Sequence, residues 1–216
     1  MSDQVGEPKL TAKGARTRSR IVAAAAELMN ANGVAGTTLE QVRDAAGVSS
    51  SQIYHYFADK QALIKAVIAH QNETVVGSQE PLFDQLDTLE GLRAWRDAIV
   101  GLQRERQCRG GCPIGTLGSE LAEIDADARA DLAEGFSRWA AGIHRGYRTM
   151  YDRGDLVPGA DPARLATATL AALQGGLLLT QLHRDTGPLE SALDVILDHV
   201  RSLQVASHHR NGNGPA

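Results

Sequence analysis

The chain has 216 residues, of which 22 are lysine or arginine and 26 aspartate or glutamate, for a net charge of −4, and only 4% are aromatic. Such a length holds one or two domains, and the slightly acidic balance excludes a protein that coats nucleic acid indiscriminately. Alanine and leucine dominate, and no segment alternates apolar and polar residues between turn signals as a half-buried strand does, so an all-α fold is expected.

From Lys9 to Arg20 the chain carries Lys9, Lys13, Arg16, Arg18 and Arg20 and no acidic residue. Residues 1–15 are expected to form a flexible basic leader, with Arg16 and Arg18 favoured to lie along phosphates or reach into a minor groove. A solvated leader without such contacts is the competing reading. An amphipathic helix, RSRIVAAAAELMNANG, follows. The stretch TTLEQVRDAAGVSSSQIYHYFADKQAL then predicts two short helices joined at a glycine, the pattern of a helix-turn-helix DNA reader. Thr37 is the expected cap of the first helix, with Glu40 reaching back to it, and Leu39, Val42, Ala45 and Ala46 form the inward stripe. Gly47 stands where the helix must stop in a conformation costly for a residue with a Cβ. Ser49 and Gln52 form a second capping box. Ile53 and Phe57 face the core, which leaves Ser50, Ser51, Tyr54, His55 and Tyr56 outward. Asp59 caps a third helix from Lys60 to about Gly77, so that Lys60 sits in its first turn, where an ammonium and free N–H groups can meet a phosphate. An ordinary helical hairpin has no reason to expose two tyrosines, a histidine and three serines beside a helix-starting lysine.

Beyond Gln71 the punctuation divides the chain into long helices. One runs from about Glu90 to Gln107 with Leu92, Trp95, Ile99 and Leu102 inward, and stops at Arg-Gly-Gly-Cys-Pro. Pro113 opens the short segment IGTLGSELAEI. A long helix from about Ala126 to Arg153 carries Leu132, Phe136, Trp139, Ile143 and Tyr147 on one side, with Gly154 past its end. Asp161 and Pro162 cap and start a helix to about Asp185. Gly187-Pro188 breaks it, and a last helix covers about Leu189 to Val205. Both final helices are apolar over more surface than one core face needs, which suggests burial on a second side; completion of the subunit's own core is the alternative. The expected layout is a leader at 1–15, a helix-turn-helix domain at 16–62, a larger helical domain at 63–205 and a disordered tail at 206–216.

From about Thr17 to Gln71 the chain resembles the TetR (tetracycline-repressor-like) family of bacterial transcriptional regulators. The opening helix, the TTLEQVRDAAGV helix-turn and the IYHYFADKQAL run stand in the family's order. Carried onto these positions, the family pattern implies base contacts from Ser50, Ser51, Gln52 and His55 and phosphate contacts from Thr38, Tyr54, Tyr56 and Lys60, with Ser49 beside them. Serines at 50 and 51 depart from the pattern and shift base reading toward Gln52 and DNA shape. The resemblance also implies a homodimer whose last two helices pair with their copies as a four-helix bundle, with Leu173, Leu177, Leu193, Leu197 and Val200 at the interface. The run GCPIGTLGSELAE is similar to the corresponding segment of the LmrA/YxaF-like branch. That similarity implies an effector cavity lined by Trp95, Leu117, Leu121, Phe136, Trp139, Ile143, Tyr147, Gln174 and Leu178. The same aromatic residues also serve as plain core filling.

No phosphate-cradling, dinucleotide, nucleophile-elbow or zinc-protease motif is present, and His144, His183 and His199 stand singly, so an enzyme is not expected. Cys108 and Cys112 lack two further ligands, and neither a metal nor a cofactor is expected; the pair reads as free thiols. No apolar run approaches the ~20 residues of a membrane span, and Met-Ser-Asp-Gln lacks the layout of a secretory signal, which predicts a cytoplasmic location. The expected function is that of a repressor released from a pseudo-palindromic operator by a small, mostly apolar aromatic ligand. A DNA-bound architectural or partner-recruiting protein without an effector is the alternative.

Overall fold

The computed structural model describes residues 10–205, which include α-helices α1 (Ala12–Asn32), α2 (Leu39–Ala46), α3 (Ser50–Tyr56), α4 (Lys60–Val75), α5 (Glu80–Phe83), α6 (Leu89–Glu105), α7 (Pro113–Leu121), α8 (Ala126–Asp152), α9 (Pro162–His183) and α10 (Gly187–Ser202). Among the described residues the only β pairing is an isolated antiparallel bridge between Leu156 and Gln204. The chain divides into two compact units. One joins the residues up to Ser78 with Pro113–Gly135; the other joins Gln79–Cys112 with the chain from Phe136 onward. The boundary expected at 62/63 therefore falls inside α4, which packs on α1 and α7 and belongs wholly to the first unit. Lys9 and the tail 206–216 lie outside the described residues.

In the first unit, α1 starts earlier than the amphipathic pattern suggested, because the Thr11 hydroxyl accepts from the Gly14 N–H at 3.1 Å and caps it. Lys13, Arg16, Arg18 and Arg20 thus ride on a helix and are not a flexible arm. Ile21, Val22, Ala25, Ala26 and Met29 make its buried stripe. The cap of α2 is Thr38, not Thr37. Thr38 and Gln41 form a reciprocal capping box, while Thr37 is buried and its hydroxyl donates to the Gly33 carbonyl at 2.8 Å. That shift of one position leaves Val42 and Ala46 inward, Leu39 half-buried and Ala45 exposed. Gly47 ends α2 at φ 60°, ψ 46°; a Cβ there would meet nothing within 4 Å, so the need for glycine is conformational, worth about 1–2 kcal/mol, and not steric. Ser49 and Gln52 close the second box and Asp59 caps α4 by accepting from the Ala62 N–H at 2.8 Å, both as the sequence predicts.

In the second unit, a short α5 precedes α6. On α6 the buried side chains include Leu92, Trp95, Val100 and Gln103, while Leu102 is exposed, because a 3.6-residue repeat drifts off the 3-4-3 spacing read from the sequence. The helix break expected at Gly187-Pro188 falls at residues 184–186, and the last helix starts two residues earlier than Leu189, with Pro188 in its first turn, where a missing N–H is harmless. Helix α9 packs along α10, and Gly176 permits it: a Cβ there would come within 2.9 Å of the Leu189 Cα. Arg96 on α6 reaches α10 with a two-pronged contact to Asp194, at 3.0 and 2.9 Å, and a further one to Glu190 at 3.4 Å. Glu190 also accepts from the Thr186 hydroxyl at 2.6 Å; that bond, with Arg104 and Arg96, holds its carboxyl below the usual range.

Two expectations about the last helices change. Leu173, Leu177, Leu193, Leu197 and Val200, expected at a subunit interface, are all buried within the single chain by the α9–α10 packing. The apolar side chains left outward are Leu178, Leu179 and Leu182 on α9 and Val195 on α10, with Leu182 and Val195 each 68% exposed. Helical periodicity places the three leucines on the face of α9 opposite Leu173 and Leu177, and Val195 on the face of α10 opposite Leu193 and Leu197. In addition, α9 is long and apolar enough to cross a membrane by length and composition, although the sequence was read as having no such run; its apolar surface is divided between the contact with α10 and this outward face.

Candidate nucleic-acid interface

Helix α3 and its flanks carry the polar strip that the sequence assigned to DNA. Ser50, Ser51, Gln52, Tyr54 and His55 are all exposed, and Tyr54 is 58% exposed despite its size. Ser49 is occupied as the cap: its hydroxyl accepts from the Gln52 N–H at 3.2 Å and lies 2.9 Å from the Ser51 hydroxyl. The Gln52 side-chain oxygen accepts from the Ser49 N–H at 2.9 Å. Its amide nitrogen is then the end left to meet a base edge, as a donor to acceptors such as guanine O6 and N7. The His55 and Tyr56 rings meet edge to face at 4.9 Å.

Several residues assigned to phosphates are engaged within the first unit instead. Lys60 is half-buried, and its ammonium donates to the Val34 carbonyl at 2.6 Å. The Arg18 guanidinium stacks over the Phe57 ring at 5.2 Å. Tyr56 is half-buried against the start of α1, where a Cβ on Gly14 would lie 3.4 Å from its hydroxyl. Thr38 is exposed but spends its hydroxyl on the Gln41 N–H at 3.3 Å. Arg16 is exposed. Lys13 and Arg20, both in the basic run read from the sequence, are exposed on α1 with Arg16 at helical spacing; Arg43 on α2 is a further cation that the sequence did not single out. Arg43 pairs with Asp44 at 2.6 Å and reaches toward the Ser50 hydroxyl at 3.5 Å. Since α3 contains no lysine or arginine, Arg43 supplies cationic charge beside its first turn. The signal for Arg43 was its place one turn before Gly47, next to the corner.

A family model for bacterial regulatory proteins of the tetR family matches residues 21–67, and one for the tetracyclin repressor-like C-terminal domain matches residues 88–196. The chain belongs to the TetR family. A helix-turn-helix-type transcriptional regulator from the lacX 3' region of Lactococcus lactis is 30% identical over 83% of this chain and 91% of its own length. The transcriptional regulator AcuR of Cereibacter sphaeroides is 28% identical over 86% of each. The LmrA/YxaF-like resemblance is matched by YxaF and LmrA of Bacillus subtilis, each 24% identical, over 83% and 80% of this chain and 92% and 90% of the respective relative. A TetR transcriptional regulator from Chloroflexus aurantiacus superposes with a TM-score of 0.78 at 26% identity, over 90% of this chain and 98% of that one. This TetR-family protein is thus a helix-turn-helix transcriptional regulator, and not an enzyme. Regulators of the family bind operator DNA and act as dimers.

The residues assigned to an effector cavity are divided between the two units. Leu117 and Leu121 are buried in the first; Trp95, Phe136, Trp139, Ile143, Tyr147, Gln174 and Leu178 belong to the second. Leu178 is 56% exposed, because it sits on the outward face of α9, and so does not line an interior. Trp95 donates its indole N–H to Gln79 at 3.0 Å, and Tyr147 pairs with the Thr169 hydroxyl at 2.9 Å. Burial pushes the Tyr147 hydroxyl up to about 12, with the Thr169 bond pulling the other way. The indole nitrogen of Trp139 and the amide nitrogen of Gln174 are buried with no hydrogen-bond partner among the described residues. Cys108 and Cys112 are both buried, and no group of three or more potential metal ligands occurs among the described residues.

Proposed function

We propose that this protein is a cytoplasmic, homodimeric repressor that leaves a pseudo-palindromic operator when a small, mostly apolar aromatic ligand binds its C-terminal helices. The observation that carries the DNA half is the exposed polar strip Ser50–His55, held rigid by the Ser49–Gln52 box. In this reading Ser50, Ser51, Gln52 and His55 approach base edges, while Tyr54, Arg16 and Arg43 hold phosphates. A two-fold dimer matches two half-sites on DNA, and the outward leucines of α9 with Val195 of α10 supply its apolar seam. The effector half is supported by two buried donors without partners, Trp139 and Gln174, because an unmet N–H costs about 1–3 kcal/mol that an acceptor on a ligand recovers.

Both tryptophans, Trp95 and Trp139, are buried and report on such a ligand. An aromatic compound with a carbonyl or similar acceptor is expected to quench their fluorescence and release operator DNA over the same concentration range, since linkage makes the two signals one equilibrium. Trp139→Phe, which removes the N–H and keeps a ring, is expected to weaken that response and leave ligand-free DNA binding intact. Quenching compounds that never change DNA affinity, across a broad aromatic set, contradict the effector half.

A further inference from the structure

Val34, in the turn between α1 and α2, is buried, and its backbone is gripped from two sides. Its N–H donates to Glu120 Oε2 of α7 at 2.7 Å, and its carbonyl accepts from Lys60 Nζ of α4 at 2.6 Å. An anion on a peptide N–H and a cation on the same residue's carbonyl each match the local dipole, and bonds with a charged partner are the stronger kind. The chain makes room for the carboxylate: Gly33 has φ +76°, and a Cβ there would lie 3.0 Å from Glu120 Oε2. The turn is closed from the other end by Thr37, whose hydroxyl donates to the Gly33 carbonyl at 2.8 Å, and the next residue, Thr38, caps α2.

We propose that Glu120 is a positioning residue for DNA binding: with Lys60 it latches the Val34 peptide, so that the seating of α7 against this turn sets the orientation of α2 and α3 and hence operator affinity. The proposal rests on the reading of α3 as the DNA-contacting helix. It touches regulation of that site because α7 also carries Leu117 and Leu121, two residues of the proposed effector set. Withdrawal of α7 leaves the Val34 N–H buried and unpaired, which favours a rearranged turn. The latch also explains why Lys60, at the start of α4, faces inward instead of toward solvent.

The test uses the full chain and a duplex enriched by the wild-type protein from a random pool. Glu120→Ala is expected to speed hydrogen exchange at the Val34 amide and weaken binding to that duplex roughly 10-fold, the scale of one charge-assisted hydrogen bond. Helical content and dimer mass are expected to stay as in wild type. Glu120→Gln, which keeps an acceptor oxygen, is expected to restore most of both signals, and Glu123→Ala, exposed nearby, to change neither. The salt dependence of binding is expected to stay unchanged, because Glu120 contacts no phosphate. If Glu120→Ala does not fold, Glu120→Asp, which withdraws the charge by one methylene, is read in its place. Faster Val34 exchange with unaltered affinity, or Gln behaving as Ala does, overturns the positioning role. Failure of the wild-type protein to enrich any duplex overturns instead the DNA-contacting role of α3.

Discussion

At the scale of single residues, the side chains that looked alike in sequence divide by what they are bonded to. Lys60 and Arg18 are cations near the DNA-binding strip, yet one is tied to Val34 and the other lies on Phe57. Spacing cannot separate an ammonium that meets a phosphate from one that meets a carbonyl 26 residues away. Tyr147 shows the opposite case, a residue whose burial was legible from its helical spacing with Trp139 and Ile143. Its hydroxyl is held protonated up to about 12, so the unfolded chain, ionising near 10, loses that proton first. Stability from this group is therefore complete below about pH 10 and declines as the pH rises to 12, by about 3 kcal/mol. A spectrophotometric titration of the four tyrosines is expected to show the last one ionising only as helical circular dichroism is lost. Ionisation of all four near pH 10 with the helices intact contradicts the buried Tyr147–Thr169 pair.

At the scale of elements, caps were the most legible feature. The Ser49–Gln52 box, Asp59 and Asp161-Pro162 each start a helix where their side chains can accept first-turn N–H groups. The cap of α2 was misplaced by one residue because Thr37 and Thr38 are chemically equivalent in sequence, and only packing decides which is buried. The early start of α1 depends likewise on Thr11, which no apolar stripe accompanies. The interface leucines were the least legible: α9 is apolar around most of its circumference, so periodicity cannot say which leucines meet α10 and which meet another molecule. The structure separates the buried leucines from the exposed ones, and two substitutions test whether the exposed ones form the proposed seam. Leu182→Glu, at an outward position, is expected to give a folded monomer that no longer binds operator with dimer affinity. Leu197→Glu, at an inward one, is expected to unfold the chain, since an unpaired buried carboxylate costs several kcal/mol. Analytical ultracentrifugation and circular dichroism distinguish the two, and a Leu182→Glu protein that sediments as the wild-type dimer places the seam elsewhere.

At the scale of the whole molecule, the all-helical class, the DNA-binding segment and the family were readable because each rests on local signals: helix periods, caps and a glycine corner. The division into units was not, because it joins Pro113–Gly135 to the N-terminal segment through contacts between residues far apart in sequence, such as Glu120 with Val34 and Asn72 with Asp131. Among the side chains assigned to an effector cavity, Leu178 is exposed, which periodicity on a helix apolar around most of its circumference could not reveal. The central claim, sequence-specific operator binding by a two-fold dimer through α3, is tested most directly by selecting duplexes from a random pool with the wild-type protein and with Gln52→Ala. The wild-type protein is expected to enrich two inverted half-sites spaced by about one helical turn or a multiple of it, and Gln52→Ala to relax one position in each half-site by about 1–3 kcal/mol. Enrichment of no sequence by the wild-type protein, or of a single half-site without symmetry, contradicts the account.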